Sequence, residues 1–446
     1  MDFTKGYSRR DLIRFLVPLI AAELFQQIYS LINTIVVNRV LDHSAVAVIG
    51  ACSGFLSIRG NLIAGMILGF GIYISRAVGS RDRKYFLQAF SGAFCCALAL
   101  GLLGLALLPW IGAMLTVGNI PEELSQDAAR YLSFSFGGCI CIALKMLLMV
   151  TLQAIGDTKF FSFLAAAGVI VNTVLVVLFV GVFHGGVAFS ALATILTNLV
   201  LAGCLYSYIH RKHPDVLKLV SPRLIPSGIW LNLIKNGVAK TVYFMLGSFG
   251  KLLLQRTINT FSVEVIAGQA WAVCLQTILF APLGELGTAS GVITGQNVGA
   301  KNMENIRTYH RKLCRGMLLI GAVEVLFVYL LGYPLLRVLC GSDKPIAVAQ
   351  AANQWLCITV LVMPLCMTIL YRNALQAMGR YPQVVLLGAV EFVGICLTIS
   401  LFVPAYGYSS AAAGVAASWL VQAVFGFCFF HHAMKGEHTL EQSSFK

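Results

Sequence analysis

Charge is what this 446-residue sequence has least of. Asp, Glu, Lys and Arg together make up 11% of it, against about 25% in an ordinary soluble domain. Set beside 58% apolar residues and a mean hydropathy of +0.83, that scarcity excludes a soluble enzyme, a disordered chain and a nucleic-acid module. It fits a polytopic membrane protein. Metal-type spacings are missing too: no C-x-x-C and no H-E-x-x-H occurs. The 13 Cys are odd in number and lie mostly inside apolar runs, as at Cys95, Cys96, Cys139, Cys141 and Cys357. They read as small apolar residues, with no disulfide framework and no zinc site expected. There is no G-x-x-x-x-G-K-[ST] loop, so no ATP site of the usual kind, and uphill work would have to draw on an ion gradient. The basic start (Lys5, Arg9, Arg10, Arg14) leads into an apolar stretch of more than twenty residues with no small-residue cleavage pattern. This is read as an uncleaved first membrane helix.

What is present is a series of about twelve apolar runs, near 13–37, 45–74, 86–108, 128–154, 161–183, 187–209, 230–255, 265–294, 316–340, 347–371, 383–403 and 409–431. Each is close to the roughly 20 residues a bilayer requires, and none alternates as a barrel strand would. An all-α protein of twelve transmembrane helices is predicted. The net charge of +14 is spread over short connections, so it reads as orientation signal and not as a nucleic-acid footprint. Twenty-two Lys and Arg fall on the side of the N-terminus and four (Arg39, Arg256, Arg337, Lys344) on the other. That places both termini in the cytoplasm. The longest basic connection, 210–229, holds Pro214, Pro222 and Pro226 and is read as a cytoplasmic linker between an N-lobe (1–209) and a C-lobe (230–446). The halves repeat. Val78-Gly79-Ser80-Arg81-Asp82 matches Val298-Gly299-Ala300-Lys301-Asn302, Leu152-Gln153-Ala154-Ile155-Gly156 matches Leu375-Gln376-Ala377-Met378-Gly379, and Leu108-Pro109 matches Tyr333-Pro334. Six spans per repeat make the repeats parallel, with a substrate cavity between lobes and alternating access expected.

These motifs, with Pro18 and Leu24-Phe25-Gln26-Gln27-Ile28-Tyr29-Ser30-Leu31-Ile32-Asn33-Thr34 in the first span, Gly156-Asp157-Thr158, Gly295-Gln296-Asn297 before the second Val-Gly, and Gly388 and Glu391 after the second Leu-Gln-Ala, resemble the MATE (multidrug and toxic compound extrusion) family of the flippase superfamily. The resemblance covers nearly the whole chain. It implies two pseudo-symmetric six-helix bundles and export of organic, usually cationic and amphipathic, compounds against H⁺ or Na⁺, with no enzyme activity and no cofactor beyond that coupling ion. The alternative is a flippase or exporter of an anionic or lipid-linked substrate. A bacterial inner membrane, a monomer, and small-molecule and lipid partners are expected. The chain departs from the family where many members carry helix-one and helix-five Asp residues. Asn33 and Val176 stand there, while Asn172 and Thr194 keep the polar positions. An amide cannot titrate, and hard cations prefer charged oxygen.

Charges inside spans each cost about 2.5–3.5 kcal/mol on insertion scales, so Glu23, Glu285, Glu324, Glu391, Arg59, Lys145, Lys240 and Lys251 need an account. Internal pairing is the plain explanation, above all for Glu324; Arg59 and Lys251 could instead snorkel. Glu391 and Glu285, the latter after Pro282 and Gly284, are the leading coupling candidates, with Asn172, Thr194 and Asn33 behind them. Gln26, Tyr29, Lys145, Lys240 and Glu23 are substrate-cavity candidates. A lysine could stand in for a bound cation or attract an anion. The patterns Gly65-x-x-x-Gly69 and Gly101-x-x-Gly104 predict tight helix contact. The topology is open to cysteine-accessibility labelling. A Cys in the Glu122 connection should react only from outside, and one within 210–229 only from the cytoplasm; the reverse pattern would overturn it.

Overall fold

The structure, a computed structural model, describes residues 1–6, 8–40, 43–118, 120–183, 186–340, 346–360 and 363–443. Among these there is no strand. The bilayer core offers no water to a backbone N–H or C=O, so apolar runs close their hydrogen bonds internally as helices. In chain order these are α1 (Arg9–Val40), α2 (His43–Gly79), α3 (Arg83–Ala106), α4 (Ile111–Val117), α5 (Glu122–Gly137), α6 (Cys139–Ala154), α7 (Lys159–Val176), α8 (Gly186–Lys212), α9 (Ser227–Ile258), α10 (Val263–Gly299), α11 (Met303–Phe327), α12 (Tyr333–Cys340), α13 (Ile346–Val360), α14 (Met363–Ala377), α15 (Tyr381–Leu397), α16 (Val403–Tyr406) and α17 (Tyr408–Ser443). Among the described residues, every one of the twelve apolar runs is helical. Several consist of two helices in succession, and a π-helical turn follows α7, α11 and α15. Nine stretches among the described residues are long and apolar enough by themselves to cross a membrane.

The chain forms two compact units. Met1–Asp2 with Arg9–Thr241 make the first, and Phe3–Ser8 with Val242–Lys446 the second. Residues 210–229 therefore belong to the first unit, and α9 starts in the first and ends in the second. In the first unit α2 and α3 pack on α6, α1 on α7, and α5 and α6 on α8, around Ile67, Phe70, Phe90, Leu147 and Leu233. Small residues let the backbones approach. A Cβ on Gly65 would stand 2.5 Å from Thr241 Cα and one on Gly69 2.6 Å from the Asn236 carbonyl oxygen; on Gly101 it would meet Ile140 at 2.2 Å. Both glycine patterns thus mark close contact. The second unit packs α10 on α13 and α14, and α17 on α14 and α15, around Leu254, Trp355, Tyr408, Val415 and Trp419. The end of α10 and the start of α11 also hold the N-terminal segment. The Phe3 N–H donates to Gln296 Oε1 at 3.0 Å, Asn305 Nδ2 donates to the Phe3 carbonyl at 2.6 Å, and the Phe3 ring meets Tyr309 edge-on at 5.7 Å.

The repeated motifs are turn machinery. Gly156 and Gly379 both have a left-handed backbone, φ 78° and 80°. In each turn the glycine N–H bonds back to the Gln carbonyl (Gln153, Gln376; both 3.0 Å), and the next N–H bonds to the Leu carbonyl (Leu152, Leu375; both 2.9 Å). That pair of bonds stops a helix after its last turn, and only glycine adopts the required φ without strain. Arg81 and Lys301 occupy matching left-handed positions, φ 56° and 55°. Each is followed by a side chain that caps the next helix: Asp82 accepts from the Lys84 and Tyr85 N–H groups, and Asn302 accepts from Asn305 N–H.

Next to the first of these turns, Asp157 Oδ2 accepts from Tyr208 Oη and Lys212 Nζ, both at 2.9 Å, and lies 3.2 Å from His213 Nε2. Burial raises the Asp157 pKa, but the bonds from Lys212, His213 and Tyr208 outweigh it and leave it below the ordinary carboxylate value. A depressed pKa contributes stability that is present above the unfolded-state value, about 3.9, and is lost as pH falls through the folded one. Asp157→Asn should therefore lower the unfolding temperature in detergent at neutral pH, with the gap to wild type closing only in acid. Gly69→Val should cost at least about 1–3 kcal/mol by overpacking, whereas Gly203→Val, whose Cβ meets nothing within 4 Å, should be tolerated. Monodisperse yield after detergent extraction distinguishes the two.

Candidate functional site

In the first unit α1, α6, α7 and α8 surround a cavity of about 300 Å³. Four residues expected from the sequence meet there: Gln26, Lys145, Asn172 and Thr194. Thr197 and Asn198 join them. They lie three and four residues beyond Thr194, on the same face of α8, and helical spacing from Thr194 is the signal that could have found them. The polar groups are largely occupied by one another and by the backbone. Asn172 Nδ2 donates to Thr197 Oγ1 (3.1 Å), Thr197 Oγ1 to the Ala193 carbonyl (2.8 Å), Thr194 Oγ1 to the Ser190 carbonyl (3.1 Å) and Asn198 Nδ2 to the Thr194 carbonyl (2.8 Å). Met149, Phe161, Leu164 and Leu201 supply apolar wall. No carboxylate lines the cavity among the described residues. Val176, one turn after Asn172, packs with Val180 and Ala193.

The remaining first-unit candidates lie elsewhere. Glu23 accepts from Gln27 Nε2 at 2.6 Å and is not part of the cavity wall, and Lys240 is buried on α9, also outside it. Tyr29 and Asn33 fall on α1 with side chains outside the described residues. Arg59 does not snorkel: its Nη1 donates to the Ser135 carbonyl of α5, inside the protein. A guanidinium within reach of a helix carbonyl finds a partner there without stretching to an interface. Lys251 is exposed.

The second unit contains the carboxylate cluster. Glu391 on α15 is buried and accepts from three helix-borne donors. Tyr243 Oη of α9 reaches Oε2 at 3.3 Å, and Trp419 Nε1 of α17 reaches Oε1 at 3.2 Å. Gln422 Nε2 of α17 reaches Oε2 at 3.1 Å and also bonds the Leu387 carbonyl at 2.7 Å. A carboxylate has room for all three, since each oxygen offers two acceptor sites. Behind Tyr243 stands Arg372, its guanidinium carbon 4.2 Å from the ring centroid. Arg372, one of the twenty-two Lys and Arg that the sequence places in connections on the side of the N-terminus, is instead buried on α14. The apolar run 347–371 ends just before it, so composition alone placed it outside. Glu285 is partly buried on α10 three residues after Pro282 and is not among the groups bonded to Glu391. Glu324 departs from the expected pairing, because it is buried on α11 and its Oε1 has no hydrogen-bond partner among the described residues.

Comparison with known proteins identifies the family and the fold. A family model described as MatE matches residues 18–178 and 241–399. The chain is 22% identical over 436 residues to the "Probable multidrug resistance protein YpnP" of Bacillus subtilis (strain 168), covering 97% of this chain and 96% of that protein. It is 24% identical over 298 residues to the "Multidrug export protein MepA" of Staphylococcus aureus (strain MSSA476), covering 65% and 64%. A solved structure described as "Crystal structure of MATE in complex with MaL6" superposes with a TM-score of 0.90 at 19% identity, over 98% of each chain. Another, described as "Reverse polarity of binding pocket suggests different function of a MOP superfamily transporter from Pyrococcus furiosus", superposes at 0.88 and 19% identity, over 98% of this chain and 97% of that one. The fold is thus twelve membrane-spanning helices in two six-helix bundles.

Proposed function

The chain belongs to the MatE family, and from that premise we propose that it is a secondary active multidrug exporter of a bacterial inner membrane, moving amphipathic organic compounds out by alternating access in exchange for H⁺ or Na⁺. Relatives described as multidrug resistance and multidrug export proteins support the export of drugs. The bias of Lys and Arg supports an orientation with both termini in the cytoplasm. Support for an ion gradient as the energy source comes from the missing phosphate loop.

Glu391 carries the coupling proposal. It is a buried carboxylate held by donors on α9 and α17, so gaining or losing H⁺ or Na⁺ at its oxygens changes how many of those donors it can satisfy. Each lost bond leaves a buried polar group unmade, at about 1–3 kcal/mol. Occupancy of one carboxylate thereby biases the packing of three helices, which is what a gradient-driven switch requires. The first-unit cavity is lined by no acid among the described residues, so nothing described there competes with it.

Glu391→Gln keeps the shape and removes the exchangeable charge. In a pump-deficient bacterium the parent protein should lower accumulation of a cationic dye, an effect that disappears when both proton and sodium gradients are collapsed. At equal expression Glu391→Gln should abolish efflux driven by an imposed pH or sodium step, and Asn33→Ala should reduce it only a few-fold. Normal efflux by Glu391→Gln together with a dead Asn33→Ala would locate coupling in the first half of the chain.

A further inference from the structure

The first-unit cavity holds a cation and no acid. Lys145 faces it from α6 and takes part in no ion pair among the described residues. An ammonium at membrane depth is costly unless a counter-charge offsets it, and no carboxylate lines this cavity among the described residues. Thr194, Thr197 and Asn198 each donate to an α8 carbonyl and Asn172 donates to Thr197; the neutral oxygens these side chains keep can accept from the ammonium but bring no charge to balance it. Across from them on α1, Gln26 is exposed to the cavity and makes no hydrogen bond within the protein among the described residues. The charge this wall leaves unbalanced is the Lys145 ammonium, with the Gln26 primary amide across from it, beside an apolar surface of Met149, Phe161 and Leu201.

We infer that this cavity is a binding site for an amphipathic organic carboxylate, its charged end on Lys145 and Gln26 and its apolar body against Phe161, Met149 and Leu201. A carboxylate supplies the missing counter-charge. It accepts from an ammonium through one oxygen and from an amide N–H through the other, and charge-assisted bonds of that kind are the strong ones. A cavity of about 300 Å³ has room for a phenyl ring on a short chain. A cationic compound would place a second positive charge beside Lys145 with no carboxylate to separate them. The site is independent of the export proposal, since it concerns which ligand binds and not which gradient drives transport.

The test is binding to the purified full-length protein in neutral detergent, with three matched probes: 3-phenylpropanoate, 3-phenylpropylamine and 3-phenylpropanol. Phenylpropanoate should raise the unfolding temperature of the parent protein in a saturable way, and the amine and alcohol should not. Lys145→Met should weaken the phenylpropanoate constant at least about tenfold, the equivalent of about 1.4 kcal/mol, while Lys145→Arg retains it. Methionine removes a charge from a membrane span and fills similar space, so this variant should fold at least as well as the parent. Glu391→Gln should leave the constant unchanged, which separates a failure here from a failure of the coupling proposal. Equal binding by Lys145→Met, or stronger binding of the amine than of the acid, overturns the inference. So does a Lys145→Met variant that gains Na⁺-dependent stabilisation while the parent ignores phenylpropanoate; Lys145 would then be a built-in cation.

Discussion

The absence of water in the bilayer core is the constraint on which this protein rests. It forces every spanning backbone into a helix, since an unpaired N–H or C=O there costs several kcal/mol. It also removes the hydrophobic effect as a force between helices, because lipid tails are as apolar as leucine. What holds helices together is then close backbone approach and a few hydrogen bonds. Gly65 and Gly69 against 236–241 show the first. The second appears where Thr158 Oγ1 donates to the Phe15 carbonyl in α1 at 3.2 Å, joining the start of α7 to the helix that Pro18 interrupts.

The same constraint separates the two candidate sites chemically. A charge in hydrocarbon must be solvated by protein, and the two units do this differently. In the second unit, Glu391 is surrounded by Tyr, Trp and Gln donors, with Arg372 one ring away. Its charge is provided for internally, and anything that alters it disturbs three helices at once. In the first unit, Lys145 faces a cavity whose other polar groups are neutral and which, among the described residues, holds no carboxylate. Its charge is left for an outside group to meet. An acid satisfied from within suits a coupling element, and a base unsatisfied from within suits a ligand contact.

The twofold repeat was readable in the chain, and the structure gives it a physical meaning different from the one motifs usually carry. Leu-Gln-Ala-x-Gly and Val-Gly-x-x-Asp/Asn recur because each half must stop one helix sharply and start the next. The first needs a left-handed glycine, and the second needs a capping oxygen. None of these residues lines the cavity or bonds Glu391. Asp157 and the Gln296–Asn297 pair go further and tie such turns to α8 and to the N-terminal segment.

Composition and hydropathy determined the helical class and the number of spans, because these depend on transfer energies and local backbone preferences that belong to each residue whatever its neighbours, while the matched motifs carried the repeat and the resemblance to the family. The identity of the cavity wall was partly legible as well. Lys145 marked itself as a charge in an apolar run, and the resemblance to the family pointed to Gln26, Asn172 and Thr194. Only the tertiary structure decided that Thr197 and Asn198 complete that wall, and that, among the described residues, Lys145 faces it without an ion-pair partner while Glu324 stays buried with one oxygen unbonded. It alone withdrew Arg372 from the loops and set Tyr243, Trp419 and Gln422 around Glu391. Those outcomes depend on which faces of helices far apart in the chain come together. A part-turn rotation of α9 or α17 about its axis would leave the sequence pattern intact and send the donors elsewhere, so no periodicity in the chain could have specified them.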